Sequence, residues 1–143
     1  MPRNKNKPMG RLTKSELALM EILWDAQRPL DGNEILSEAE QFQDGPIFSK
    51  KSYHVIVNNL LESEYVVAVS GCGHGKNNAR RFAPTVSRNE YQALQISSSE
   101  KYRPEDIPDI LCSLINSSDI ADPQAFLKEV ERTVLKKLGM TRE

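Results

Sequence analysis

Residues 48–70, FSKKSYHVIVNNLLESEYVVAVS, decide how this chain folds. Tyr53, Ile56, Val57, Leu60 and Leu61 recur at i, i+3, i+4, i+7 and i+8, which puts five apolar side chains on one face of a helix. The side chains pointing furthest from that face are Lys51, Val55, Asn58 and Glu62, with Ser52 and Asn59 on one flank and His54 on the other. Ser49 is placed to cap the helix, and Lys50 and Lys51 then occupy its first turn, where the helix dipole favours acids. Cations set against the dipole point to an anion outside the chain. Val66 to Ser70 alternate as a strand directly after the helix. A helix that turns Lys, Ser, His and Asn outward in its N-terminal half, and is tied at its other end to a β-hairpin, has what a reader of the DNA major groove needs.

Working upstream, Thr13-Lys14-Ser15-Glu16 is a capping box that opens a helix over about Lys14 to Ala26, with Leu17, Met20, Ile22, Leu23 and Trp24 inward. Pro29 ends it. Asp31 and Glu34 open a second helix, about Gly32 to Phe42, with Ile35, Leu36 and Ala39 inward, and Asp44-Gly45-Pro46 turns the chain toward the third. Three short helices with tight connections make a helix-turn-helix. Downstream, Gly71 to Ala79 loops out and Arg80 to Ala83 returns as a second strand, which completes a winged helix. Lys76, Arg80 and Arg81 make the wing basic, suited to phosphates or the minor groove. Ser87-Arg88-Asn89-Glu90 starts a further helix carrying Tyr91 and Leu94, which fades at Ser97-Ser98-Ser99.

Beyond that point Ile107, Ile110, Leu111, Leu114 and Ile115 repeat the helical spacing, with Pro108 tolerable in the first turn. A last helix has Asp122 as N-cap, Pro123 at its first position, an apolar stripe of Phe126, Leu127, Val130, Val134, Leu135 and Leu138, and Gly139 as C-cap. A segment of roughly 40 residues rarely buries enough apolar surface to stand alone, so these stripes are expected to pair with a second copy. The expected fold is mainly α with a small β-hairpin: a basic tail over residues 1–11, a winged-helix DNA-binding domain over 12–96 and a helical dimerisation segment over 97–143.

Composition agrees with a globular protein. Apolar residues make up 38% and charged residues 27%, and no apolar run has the length of a membrane span, so a soluble chain without membrane insertion is expected. The basic start MPRNKNKPMGR is followed by an amphipathic helix and not by an apolar signal region, which predicts a cytoplasmic location. The tail is read either as mobile or as an arm that contacts DNA. Cys72 and Cys112 stand in unlike contexts and are expected as free thiols. The net charge of −1 hides an uneven distribution, for residues 15–47 hold one basic and eight acidic residues whereas 48–90 hold six basic and three acidic. The candidate DNA-binding set is therefore Lys50, Lys51, Ser52, His54, Val55, Asn58, Asn59, Lys76, Arg80 and Arg81.

Other chemistries find less support. Cys72 and His74 have only His54 and Cys112 to complete the four ligands of a structural zinc site, so no metal or cofactor is expected. No nucleophile elbow, phosphate loop or paired carboxylates occur, which argues against an enzyme. The rival to DNA readout is a winged helix that contacts a protein through Val55 and Asn58. The basic wing and the acid-free first turns of the third helix weigh against it.

The stretches LTKSELALMEILWD, PLDGNEIL, FSKKSYHVIVNNLLESEYV and RRFAPTVSRNEYQ, over about residues 12 to 92, resemble the penicillinase-repressor family of bacterial winged-helix regulators. The resemblance implies a homodimeric repressor on a palindromic DNA operator, held together by its C-terminal helices. In that family Thr is common where Val55 stands, Arg where Asn59 stands and Gly where Glu64 stands. Family members are released by cleavage of the C-terminal part after a membrane sensor-protease signals, or by metal at a cluster of C-terminal cysteines. Here Cys112 lacks such a cluster and no Asn-Phe cleavage pair occurs, so a sensor or protease partner is implied without an identity.

Overall fold

The computed structural model describes residues 10–41, 48–69 and 80–140. The expected loops at Asp44-Gly45-Pro46 and Gly71 to Ala79, with Lys76, Cys72 and His74, lie outside the described residues, as does most of the tail. The described chain divides into two compact units that meet in sequence at Glu100 and Lys101.

The first unit holds α1 (Lys14–Ala26), β1 (Leu30–Asp31), α2 (Gly32–Glu40), α3 (Lys50–Glu62), β2 (Val66–Val69), β3 (Arg81–Pro84) and α4 (Arg88–Ser97). Each helix start is dictated locally. Thr13, Asp31 and Ser87 accept the backbone N–H three residues on, and Glu16, Glu34 and Glu90 close the box by accepting from the cap residue. Ser49 caps α3 from Ser52 N–H without a returning acid. The ends are equally local. At the close of α3, Tyr65 N–H reaches Leu60 C=O at 2.9 Å and Glu64 N–H reaches Leu61 C=O at 3.1 Å, a Schellman motif that requires Glu64 in the left-handed region at φ +64°. This is the position at which the resembled family prefers glycine.

The sheet is larger than the hairpin expected from sequence. Three antiparallel strands stand in the order β1-β3-β2, with Leu30 opposite Phe82 and Asp31 opposite Arg81 on one side of β3, and Val66 to Val69 opposite Pro84 to Arg81 on the other. β1 has two residues, too few to show any alternation. The fold is a winged helix, mainly α with a small antiparallel sheet.

One apolar core joins α1, α2, α3 and the sheet, with Leu19, Met20, Leu23, Ile35, Leu60 and Tyr65 almost wholly enclosed. Leu17, expected inward, is only half-buried, and Leu19 takes the enclosed place because α1 is covered over a wide arc. At the edge of this core Trp24 and Tyr65 both lie against Tyr91, with ring centroids 5.9 and 5.8 Å away. Trp24 Nε1 donates to Val86 C=O at 2.8 Å. Arg88 lies over the Trp24 ring and pairs with Glu21 and Asp25, which holds α4 against α1.

The second unit contains a 3-10 turn (Pro104–Asp106), α5 (Ile107–Ser117) and α6 (Pro123–Lys137). Asp122 caps α6 by accepting from Ala125 N–H, with Pro123 in the first turn as expected. Gly139 sits one place beyond its expected cap position. Leu138 is the cap, and Gly139 at φ +69° forms the left-handed step that lets Met140 N–H reach Leu135 C=O. No residue described in this unit is buried.

Candidate nucleic-acid interface

The outer face of α3 follows from the burial of its inner one. Tyr53, Ile56, Val57 and Leu60 enter the core, which leaves Lys50, Lys51, Ser52, His54, Val55, Asn58 and Asn59 exposed together. Val55 is 60% exposed, an apolar side chain standing among polar ones on the most outward ridge. The first turns of α1, α2 and α4 each carry a glutamate that answers the positive end of the helix, but the first turn of α3 has none. Among the described residues neither Lys50 nor Lys51 pairs with a carboxylate. Two uncompensated cations and the free dipole end therefore add to a positive field at the start of this helix.

α3 packs on α1 and β2, and α2 approaches it closely at one point. Gly32 faces the Tyr53 ring so closely that a Cβ there would lie 2.9 Å from the phenol oxygen and 3.3 Å from two ring carbons. Glycine at the first position of α2 thus leaves room for the Tyr53 ring, and Tyr53 joins Ile56, Val57 and Leu60 in holding the inner face of α3 to the core. Enclosure of the ring also raises the Tyr53 pKa, with Asp31 adding to the rise and Arg80 opposing it. Sequence reading did not assign this role to Gly32. The available signal was a poor helix former placed immediately after a capping aspartate.

The two wing arginines point to different places. Arg80 is exposed, and its guanidinium lies 5.3 Å from the centroid of Phe82. With His54, Asn58 and Leu61 of α3 and Gly32 of α2 it lines one groove between the helix and the sheet. Arg81 was expected beside it as a phosphate contact, but its Nη1 is 3.1 Å from Glu34 Oε1. The other oxygen of Glu34 receives Arg28 Nη2 at 2.6 Å, and Oε1 also accepts Asp31 N–H at 3.1 Å. This carboxyl is held below the usual range, first by the Arg28 hydrogen bond and then by Asp31 N–H. Arg80 precedes β3 and Arg81 is its first residue, and neighbouring side chains of an extended chain point to opposite sides. Of the expected set, the structure brings together Lys50, Lys51, Ser52, His54, Val55, Asn58, Asn59 and Arg80, and draws Arg81 toward α2.

The family model of the penicillinase repressor matches residues 12–135, most of the chain. The chain belongs to the penicillinase repressor family. Members of that family are transcriptional regulators and not enzymes, and the chain is accordingly a transcriptional repressor. No curated protein matches it closely. The match runs through the winged helix and continues into α6, so both units fall within the family's extent. Among the described residues no group of His, Cys, Asp and Glu is arranged to hold a metal ion, and no helix is long and apolar enough to cross a membrane.

Ten apolar residues of the second unit were expected to form a dimer face. Ile107, Leu114, Phe126, Leu127, Val134 and Leu138 are exposed, and Ile110, Leu111, Ile115 and Val130 are half-buried. Leu138 is the most open of them at 66%. Cys112 is an exposed free thiol on the same helix as Leu111 and Leu114.

Proposed function

We propose that this repressor binds duplex DNA sequence-specifically, with α3 in the major groove and the wing beside it, and that it does so as a homodimer on a palindromic site. The observation that carries the reading is the outer face of α3, where Lys50, Lys51, Ser52, Val55, Asn58 and Asn59 stand exposed with no carboxylate in the first turn. Lys51 can donate to guanine, Asn58 can pair bidentately with adenine, and Val55 can pack on a thymine methyl. Arg80 approaches the same groove from the sheet side and is suited to a backbone phosphate. The exposed apolar faces of α5 and α6 support dimerisation, since a single copy leaves them in water.

Selection of bound duplexes from a random pool tests this directly, and a palindrome with half-sites about one helical turn or a multiple apart is expected. Asn58→Ala should cost about 1 to 3 kcal/mol on the selected site and relax one base position per half-site, while binding to unrelated DNA changes little. Base-preference profiles identical to the parent's for Asn58→Ala, Lys51→Ala and Val55→Ala would reject readout by α3. In that event the uncovered Val55 and Asn58 would favour a protein-contact role for this face.

A further inference from the structure

We propose that Arg81 is a positioning residue: through Glu34 it ties the base of the wing to the start of α2, and of the two adjacent arginines Arg80 alone reaches a DNA phosphate. This assignment rests on the duplex-binding function above. Arg81 lies on the central strand of the sheet, with Asp31 of β1 on one side and Val69 of β2 on the other. Its guanidinium meets Glu34, and that one carboxylate also takes Arg28 from the α1–α2 connection and the N–H of Asp31 from β1. Three groups, from β3, β1 and the α1–α2 connection, are thereby gathered on one carboxylate of α2.

The single Glu34 carboxylate is shared with Arg28, so it offsets the Arg81 charge in part and holds the guanidinium against α2, not free to swing to a polyanion. The salt dependence of DNA binding counts the phosphates that the protein neutralises, so a paired arginine adds little to it while an unpaired one adds its full share. Arg80 has no carboxylate partner among the described residues and shares a groove with His54 and Asn58. For Arg81 to turn to a phosphate it would have to leave Glu34, and the side-chain link between β3 and α2 would be lost.

The experiment measures affinity against salt for the full chain on its selected duplex, with thermal midpoints recorded at the same protein concentration. Arg80→Ala should make the slope of log K against log salt shallower by about one. Arg81→Ala should leave the slope at its parent value and lower affinity about threefold to fivefold, the scale of a partly exposed ion pair. Arg81→Lys should recover most of that loss. Glu34→Gln, which keeps the capping box, should weaken binding in the same direction, and combining it with Arg81→Ala should add no further loss. If Arg81→Ala lowers the thermal midpoint, Arg81→Lys and Glu34→Gln carry the comparison. A slope as shallow in Arg81→Ala as in Arg80→Ala, or tighter binding with a steeper slope in Glu34→Gln, would overturn the assignment alone. A parent chain that binds no duplex would overturn the DNA-binding function together with it.

Discussion

Glycine at position 64 should be more stable than alanine there, and the size of the gain follows from the end of α3. Glu64 holds φ +64° because the two Schellman hydrogen bonds to Leu60 and Leu61 demand a left-handed step there. A side chain bearing a Cβ costs about 1–2 kcal/mol in that conformation. Glycine removes this strain but brings about 0.5–1 kcal/mol of extra chain entropy to the unfolded state. The backbone contacts survive, including the acceptance of Thr85 Oγ1 by Glu64 C=O at 2.7 Å. The side-chain contacts of Glu64 are lost, so Glu64→Ala is the proper reference. Against alanine, which keeps the strain, glycine should gain about 0.5–1 kcal/mol, or roughly 2–8 °C in midpoint for a domain of this size. Thermal and urea unfolding followed by circular dichroism at one fixed protein concentration measure the difference. A glycine variant no more stable than the alanine variant would refute the left-handed step and with it the local account of how α3 hands over to β2.

Gly32→Ala should destabilise by about 1–3 kcal/mol, since the Tyr53 ring is enclosed and must move to admit the new methyl; Asn58-dependent base preference should degrade in the same variant. Trp24→Phe should cost about 1–3 kcal/mol, because Val86 C=O loses its buried donor, and urea unfolding reads this directly. The depressed Glu34 carboxyl favours the folded state fully above its ordinary value near 4.5, and that contribution disappears as pH falls through the lower folded-state pKa. Stability of the parent should therefore decline more steeply than that of Glu34→Gln below about pH 4.5, as acid titrations of both at constant temperature will measure.

What could be seen in the sequence divides by range. Helix starts are settled within four residues, so Thr13, Asp31, Ser49 and Ser87 could each be assigned as caps, and each proves to be one. The exposed face of α3 follows from a single periodicity and was equally open to inspection. The missing pieces are long-range. The pairing of Leu30 with Phe82 spans the whole reading unit, and two residues leave no strand pattern to detect. The attraction of Arg81 to Glu34 links positions 47 apart, so two adjacent arginines that look equivalent in a basic run separate only when the sheet forms. Still longer separations, 67 and 63 residues, hid the role of Arg88, whose partners Glu21 and Asp25 lie on α1. Charge counts along the chain show where cations are, and not which of them remain unpaired.

The path from α1 to α2 also constrains how this protein can change over generations. Gln27 takes the left-handed step that ends α1, Arg28 holds Glu34, Leu30 is both strand residue and core residue, and Asp31 pairs with Arg81 through its backbone while its side chain starts α2. Nearly every position in the connection is committed, several of them twice. Such a segment can exchange side chains but cannot change length, because an added or deleted residue would force a choice between the register of the sheet and the start of α2. Insertions and deletions should therefore be purged here even where substitutions are accepted.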